Sequence, residues 1–301
     1  MAAPMIGVFL PTMVERGEAL GDVAAAARHL EDLGFESAWA VDQLVGGTGV
    51  PFVDSSVALA VAAAATSRIR LGYGVLILPL RPVAWAAKQV ASLQQVSGNR
   101  VLLGVGVGGD RHDRSWAAAG VPRSERGRRT DAALAVLPSL IAGWPTDLEG
   151  ATVQLAPGTP VPPIIVGGTA PAALARTAAH GDGWFAMPGP ADQLAATAQR
   201  LAELAAEHGR PVPTITGSVS VAIEGDPARP DRAGLVRRLT DPDGMYGMPA
   251  QALDIVVTDG PAAVAERIAA AGAAGAQRVV VSIVAGDWYR QTELLAEAAG
   301  R

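Results

Sequence analysis

The strictest constraint on the fold is a regular alternation of two kinds of segment along the chain. Short runs rich in β-branched residues, typical of buried strands, alternate with longer Ala-rich amphipathic runs, typical of helices. The predicted strands are residues 5–10, 37–41, 69–78, 101–107, 163–166, 183–187, 214–223 and 278–284. The predicted helices are residues 20–33, 55–66, 83–96, 124–142, 171–180, 191–208, 261–275 and 288–299. Eight strand–helix units in strict order predict an α/β fold.

Two α/β architectures repeat this unit, the closed (β/α)8 TIM barrel and the open, doubly wound sheet. Eight units in 301 residues favour the barrel, because most open sheets need fewer. Insertions follow strand 2 (42–54), precede strand 5 (144–162, with a short hairpin around 152–155) and follow strand 7 (224–259). The last is equally compatible with a lid and with a surface excursion. No low-complexity linker divides the chain, so residues 1–301 are interpreted as one domain.

Composition excludes several classes of function. The chain has no cysteine, which excludes disulfides, iron–sulfur clusters and thiolate zinc sites. Its net charge is −5 and no stripe of basic residues is present, so nucleic acid and anionic membranes are not expected as partners. The N-terminus lacks the pattern of a signal peptide, and the apolar runs are too short to span a membrane. A cytoplasmic protein is expected.

The stretch LLGVGVGGD (102–110) matches the G-x-G-x-x-G pattern of dinucleotide-binding folds. That fold requires a helix directly after the turn and a second strand ending in an acid about 20 residues later. Neither follows here, which disfavours a nicotinamide site. At the end of a barrel strand, Gly106 and Gly108 would instead let a flat ring approach the backbone. Gly104 lies deeper in the strand and is explained by barrel packing.

A series of motifs resembles the bacterial luciferase-like flavin and deazaflavin oxidoreductases. The matching stretches are GVFLPT (7–12), GFESAWAVDQ (34–43), IRLGYGVLILPLRPVAWAAKQVASL (69–93), SGNRVLLGVGVG (97–108), ERGRRTDAAL (125–134), PPIIVGGT (162–169) and AAHGDGWF (178–185). They occur in the family's order between about residues 5 and 285. The resemblance implies a TIM barrel that binds reduced FMN or coenzyme F420 at the C-terminal mouth.

The resemblance also implies positions for the cofactor. Strand 3 of the family ends in a bulge with a non-proline cis peptide behind the ring, which matches Gly74 and Val75, followed by Leu76. The alternative is an ordinary strand bulge. The cofactor phosphate is expected at Gly167, Gly168 and Thr169, where glycines precede a helix N-terminus that favours an anion. Thr169 is also a candidate N-cap of that helix.

The candidate catalytic residues depart from the family pattern. Many members have an acid followed by His after strand 2, whereas this chain has Asp42 and Gln43. Gln43 can hydrogen-bond but cannot exchange a proton near neutral pH. Asp42 is interpreted either as a ligand of ring or substrate or as a carboxylate that caps local amides. His112, in the loop after strand 4, is a candidate replacement for the missing imidazole, with a solvated polar loop as the alternative.

These features predict an oxidoreductase, with F420-dependent hydride transfer placed first. The alternatives are an FMNH2-dependent two-component monooxygenase with a reductase partner, and a non-catalytic flavin-binding barrel, which Gln43 favours. No metal site is expected. The substrate is expected to be a small, apolar molecule. Residues expected near it are Leu76, Leu78, Trp116, Met187 and the MYGMP segment (245–249). The resemblance also implies a homodimer.

Overall fold

A computed structural model describes residues 3–109 and 113–301. Eight parallel strands close into a barrel in the order β1–β2–β3–β4–β7–β8–β9–β11, with β11 pairing back to β1. These strands are β1 (Met5–Phe9), β2 (Ser37–Ala40), β3 (Arg70–Ile77), β4 (Val101–Gly106), β7 (Ile164–Gly167), β8 (Gly183–Phe185), β9 (Thr214–Val221) and β11 (Arg278–Ile283). The closed parallel sheet confirms the TIM barrel.

The helices surround the barrel between successive strands. They are α1 (Val23–Asp32), α2 (Ser55–Ala65), α3 (Val83–Ser97), α4 (Asp113–Ala119), α5 (Arg126–Ala142), α6 (Pro171–His180), α7 (Ala191–Glu207), α8 (Arg232–Thr240), α9 (Pro261–Ala273) and α10 (Trp288–Ala298). None of the helices in the described part of the chain has both the length and the hydropathy needed to cross a bilayer.

The three predicted insertions are present, and the one after β9 contains a helix that the sequence pattern did not predict. The insertion before β7 carries a hairpin of β5 (Thr146–Leu148) and β6 (Ala151–Val153), slightly earlier than predicted. The insertion after β9 contains α8 and a short strand, β10 (Val256–Val257), paired with β9. Helix α8 buries Leu235 and Leu239 and is capped by Asp231, whose side chain accepts from the Gly234 amide. The three arginines of α8 interrupt its apolar pattern, and this is why hydrophobic periodicity did not predict the helix.

Small residues bring the helices close to the barrel. Helix α1 places Ala26, Ala27 and Leu30 in the core, and α3 buries four alanines and valines on one face. The absence of long side chains at these positions lets each helix axis approach the sheet, while Val, Leu and Ile of the strands fill the layer. This packing explains how a chain with only 4% aromatic residues forms a large core.

The bottom of the barrel is filled by one large side chain. Trp39 of β2 is fully buried, and its Nε1 donates to Ser37 Oγ at 2.8 Å. A β-carbon at Gly7 or Gly72 would collide with the Trp39 ring, so these glycines make the space it occupies. The Phe185 ring packs edge-on against it at 5.3 Å between centroids. The floor is closed, and open space begins above it, at the C-terminal ends of the strands.

Candidate active site at the mouth of the barrel

A cavity of about 640 Å³ opens at the C-terminal ends of the barrel strands. Its volume lies in the range of small-molecule and cofactor sites. One side, here called the glycine wall, is formed by Gly74, Val75, Gly106 and Gly167, on β3, β4 and β7. The opposite side, here called the hydroxyl wall, is formed by Ser218, Ser220 and Ser282 on β9 and β11.

The glycine wall depends on a bulge in β3. Tyr73 pairs with Leu103 and Leu76 pairs with Val105, so Gly74 and Val75 together face one residue, Gly104, on β4. A β-carbon at Gly104 would collide with the carbonyl oxygen of Tyr73, and this explains the glycine in that strand. The prediction that Gly104 serves barrel packing is confirmed.

Gly106 lies two residues beyond Gly104 on β4, nearer the cavity, and it accommodates the same bulge. A β-carbon there would lie 2.6 Å from Val75 Cγ2, inside van der Waals contact. The glycine at 106 therefore makes room for a side chain of β3. The structure places both Gly106 and Val75 at the cavity surface, where contact with a cofactor stays a prediction.

The peptide bond between Gly74 and Val75 is cis, as the resemblance implies. A β-carbon at Gly74 would lie 2.8 Å from Cζ of Phe9, so the ring of Phe9 requires glycine at this position. Leu76 differs from the expectation, because its side chain lies between barrel and helices, is only 1% exposed and does not line the cavity. Ile77 lines the cavity instead.

The predicted phosphate position lies at the end of β7. Gly167 and Gly168 line the cavity, and Gly168 has a φ of +115°, a conformation that favours glycine. Thr169 is exposed and lies beside them, at the start of α6. The N-cap of α6 is Ala170 rather than Thr169, and no side chain caps this end. The positive end of the helix dipole therefore lacks an internal side-chain acceptor.

The stretch after β4 continues along the cavity. Gly108 lines it with a φ of +73°. Gly109 also lines it, and a β-carbon there would meet no atom within 4 Å. His112 lies outside the described residues, so the replacement of the family histidine by His112 stays a prediction.

Asp42 is held by three donors from the protein itself. Its carboxylate accepts from Ser55 Oγ at 2.9 Å, from the Ile77 amide at 2.8 Å and from Arg81 Nη2 at 3.0 Å. It lines the cavity but is only 6% exposed. This matches the alternative of a carboxylate that caps local amides. Asp42 joins the end of β2 to the strand segment that follows the bulge.

Gln43 lies at the junction of two loops. Its Nε2 donates to the Gly46 carbonyl at 3.4 Å, and its side chain also borders a smaller cavity of about 180 Å³. That cavity separates the loop after β2 from residues 241–249, the segment here called the cover. The amide of Gln43 has no acidic proton to exchange.

The cover forms part of the cavity wall. Met245, Tyr246 and Met248 line the cavity, as does Met187 after β8, which places the MYGMP segment where the sequence predicted it. Leu78 and Trp116 do not line it, since both are buried in core clusters.

Polar contacts attach the cover to the loop after β2. Asp243 Oδ1 accepts from Thr48 Oγ1 at 3.1 Å and from Arg114 Nη2 at 3.3 Å. These hydrogen bonds lower the pKa of the Asp243 carboxyl below its ordinary value. Arg16 also donates to the Asp243 carbonyl at 3.3 Å.

The hydroxyl wall was not predicted from the sequence. Strand β9 reads TITGSVSV, and its alternate residues Thr216, Ser218 and Ser220 point into the barrel, whereas Val219 and Val221 pack against the helices. A strand with hydroxyls on its inward face was a readable signal, because barrel interiors are usually filled by bulky branched residues. No group of potential metal ligands occurs among residues 3–109 and 113–301.

Tyr73 is a buried titratable residue near the site, and its side chain lies in the layer between the strands and the helices. The phenol of Tyr73 lies within 3.1 Å of Ser56 Oγ. Burial raises the pKa of Tyr73 to about 12, and its side chain faces the helices rather than the cavity. It is therefore protonated at neutral pH and does not line the site.

Sequence comparison decides the family. A family model described as luciferase-like monooxygenase matches residues 5–240. The chain belongs to the luciferase-like monooxygenase family. This luciferase-like chain is 38% identical over 172 residues to an uncharacterized protein of Mycobacterium tuberculosis, a match that covers 55% of this chain and 58% of that protein. The chain thus spans less than two thirds of that curated relative.

Solved structures show the same barrel. An F420-dependent secondary alcohol dehydrogenase in complex with an F420–acetone adduct has a TM-score of 0.79 at 16% identity, over 99% of this chain and 98% of that one. The oxygenating constituent of 3,6-diketocamphane monooxygenase from Pseudomonas putida, in complex with FMN, has a TM-score of 0.72 at 16% identity, over 99% and 96%. At such identities the likeness establishes the luciferase-like fold alone.

Proposed function

We propose that this protein is an F420-dependent oxidoreductase that transfers hydride to or from a small organic substrate. The observation that carries the proposal is the glycine wall, where the bulge at Gly74 and Val75 lies beside Gly106 and Gly167. Such a wall presents backbone atoms and the small side chain of Val75 to the face of a flat ring. The segments around β3, β4 and β7 resemble the deazaflavin members slightly more than the flavin members, and on that resemblance we propose F420 ahead of FMN.

The residues present fit a cofactor with a flat ring and a phosphate. Added β-carbons would crowd the wall at Gly74 and Gly106, so its flatness depends on these glycines. Gly168 and the α6 N-terminus, which has no side-chain cap, supply backbone donors at one edge. Once bound, F420 would supply hydride chemistry, whereas reduced FMN would supply oxygenation by molecular oxygen.

The protein's own residues orient and shield the site. Asp42 fixes the strand segment after the bulge through Ile77 and Arg81. Met245, Tyr246 and Met248 cover the cavity with mostly apolar surface and limit the access of water. Gln43 cannot move a proton, so a protonation step needs a water molecule or another group.

A second candidate is an FMNH2-dependent two-component monooxygenase. The apolar cover favours it, because oxygenation chemistry needs a site that excludes water. In that case a separate flavin reductase would be the partner that supplies the reduced cofactor. The third candidate is a non-catalytic flavin-binding barrel, which the glutamine at position 43 favours.

Anaerobic titration separates these candidates. We expect F420 to bind more tightly than FMN, and NADPH serves as the control. The change in cofactor fluorescence measures the binding. Tighter binding of reduced FMN than of F420 would favour the monooxygenase. Binding of FMN without turnover would favour the non-catalytic barrel, and binding of NADPH alone would overturn the proposal.

We also propose a homodimer, in the cytoplasm, with a single domain in each chain. The exposed face of α2 is uncharged and consists of Val57, Ala60, Val61 and Ala64. Trp85 on the neighbouring helix α3 is 66% exposed. An apolar face of two adjacent helices is typical of an interface, and a second copy of the same face complements its lack of charge.

The association state tests this interface. We expect wild-type protein to sediment as a dimer and the Val61→Lys variant to sediment as a monomer, because the lysine would place a like charge on both copies at a twofold contact. Lys at the exposed position Gln199 of α7, on the opposite side of the barrel, serves as the control. A wild-type monomer at micromolar concentration would contradict the proposal.

A further inference from the structure

We infer that Ser220 and Ser282 form a hydroxyl pair that hydrogen-bonds a neutral carbonyl or hydroxyl oxygen of the substrate. The inference rests on the proposed function only for the position of the cofactor ring, on the opposite wall. It assigns a polar anchor to a site that otherwise lacks the family's imidazole.

The two serines are neighbours on adjacent strands. Ser220 of β9 and Ser282 of β11 are register partners in the parallel pair. The residues flanking Ser220, Val219 and Val221, pack in the outer core, so the side chain of Ser220 points inward. Both serines line the cavity. Strands in a sheet lie about 4.8 Å apart, so two such hydroxyls can reach one oxygen atom.

Neither hydroxyl is used by the protein. Among the described residues, Ser220 and Ser282 have no hydrogen-bond or ionic partner. Ser218, one inward position lower on β9, donates to the Ala186 carbonyl and is therefore engaged. Ser220 as a residue is only 7% exposed, and its Oγ is not among the fully buried, unpartnered side-chain atoms of the described residues, so it remains accessible from the cavity. Polar groups in such a mostly buried position normally have a partner, which here a ligand would supply.

The pair faces the wall where the ring is proposed to bind. In the closed order β1–β2–β3–β4–β7–β8–β9–β11, β9 lies four strands from β3, and β11 lies four strands from β4. In a barrel of eight strands these pairs are diametrically opposite. A substrate between the two walls therefore contacts the ring on one side and the hydroxyl pair on the other.

The nearby charges indicate a neutral substrate oxygen. Arg238 also lines the cavity. It forms an ion pair with Glu15 at 3.0 Å, and its Nε donates to the Val284 carbonyl at 2.8 Å. Its charge is thus compensated, and a substrate carboxylate would find no free cation there. Two hydroxyls instead suit an uncharged oxygen, which they can serve as donors or acceptors.

The test compares two probes of equal shape. Cyclohexanone and methylenecyclohexane differ only in an oxygen that replaces a CH2 group. Binding of each probe is followed by the tryptophan fluorescence of the protein without cofactor, since Trp288 lines the cavity. We expect wild-type protein to bind cyclohexanone about tenfold more tightly, as two neutral hydrogen bonds would give.

The double variant Ser220→Ala, Ser282→Ala is expected to lower this preference by about tenfold or more, to one or below, because the ketone oxygen would leave water without gaining a partner. Ser220→Thr keeps a hydroxyl and is expected to retain most of it. Ser92→Ala, on the exposed surface of α3, is the control and should leave the preference unchanged. A thermal melt of each variant identifies loss of folding, in which case the single alanine variants carry the comparison.

Three results would overturn the inference. They are a wild-type preference near one, an unchanged preference in the double variant, and a loss of F420 affinity in that variant as large as its loss of ketone affinity. The last would assign the hydroxyls to the cofactor. Failure of the proposed function is separate, because a protein that binds neither F420 nor FMN but shows the serine-dependent preference would retain the inference.

Discussion

The glycine wall and the hydroxyl wall enclose one cavity but are shaped by different physical requirements. On the glycine wall, Gly104 and Gly106 lack side chains because the bulge of β3 already fills the space. On the hydroxyl wall, Ser220 and Ser282 carry hydroxyls that have no hydrogen-bond partner among residues 3–109 and 113–301. One wall is determined by steric exclusion within the fold, and the other is left open to a ligand.

This difference shows which part of the site is tied to folding. Changes on the glycine wall should alter stability as well as binding, because they displace backbone of a neighbouring strand. Changes at Ser220 and Ser282 of the hydroxyl wall should alter binding alone, because within the described residues the removed oxygen has no hydrogen bond to lose. Variants at Gly104, Asp42 and Thr169 test the glycine wall, the serine double variant tests the hydroxyl wall, and a variant at Asp243 tests the cover.

Gly104→Ala should have the largest effect. Its β-carbon would meet the Tyr73 carbonyl, which belongs to rigid backbone, so we expect a loss of roughly 3 kcal/mol of unfolding free energy. Gly109→Ala is the matched control from the same stretch, since its β-carbon meets no atom within 4 Å, and it should stay within about 0.5 kcal/mol. Urea denaturation measures both. Equal stabilities of the two variants would refute the steric origin of the wall.

Asp42→Asn should have the next largest effect. The side-chain NH2 group of the introduced asparagine would face a second donor, either the backbone N–H of Ile77 or the guanidinium of Arg81. The positive charge of Arg81 would also lose its carboxylate partner. We expect a loss of about 2 kcal/mol, which allows for the partial exposure of Arg81. Asp131→Asn removes a more exposed partner of Arg176 and should cost at most about 0.5 kcal/mol. If Asp42→Asn is as mild as this control, Asp42 does not support the glycine wall.

Thr169→Glu tests the edge of the glycine wall without straining Gly168. A carboxylate beside the α6 N-terminus would compete with the cofactor phosphate, and we expect F420 affinity to fall about tenfold. Thr169→Gln has nearly the same shape without the charge, and its affinity should stay close to that of wild type. Isothermal titration at low salt measures both affinities. Similar affinities for the two variants would remove the phosphate from this position.

Asp243→Asn should have the smallest effect, confined to the cover. It weakens the contacts to Thr48 and Arg114, and we expect hydrogen exchange of residues 241–249 to quicken roughly twofold at neutral pH. The pKa of the Asp243 carboxyl is lowered by these contacts. They therefore persist above its ordinary pKa and are lost as the pH falls through the lowered value.

The variant should consequently exchange in acid as wild type does, and its exchange should no longer depend on the protonation of residue 243. Exchange in β9 provides the internal control, because that strand lies within the barrel. An exchange rate of the cover that is the same in both proteins at neutral pH would show that these contacts do not hold it.

Much of the fold was predictable because its signals are local. The alternation of β-branched and Ala-rich runs located all eight barrel strands to within about two residues at each end. Helix α8 was missed because three charged residues dilute its apolar face, and only its packing of Leu235 and Leu239 reveals it. Helix α4 is seven residues long, too short for a periodic pattern to stand out.

The site was predicted unevenly. The glycines of the cavity were found because missing side chains are visible in a sequence, and Gly74, Gly106 and Gly167 all line it. Leu76 was placed wrongly, because the bulge shifts the alternation by one residue and brings Ile77 to the cavity. The serine pair was missed, because Ser220 and Ser282 are 62 residues apart and only the strand pairing joins them.

The sequence by itself determined the barrel, its insertions and the family, because hydrophobic periodicity and short glycine motifs act over a few residues. The tertiary structure alone decided which residues face each other across the cavity and which polar atoms have partners. Asp42 illustrates this, since three donors from distant parts of the chain occupy its carboxylate. Whether a polar group has a hydrogen-bond partner depends on residues that are close in space but distant in the sequence. For this reason the two walls could be distinguished only in the tertiary structure.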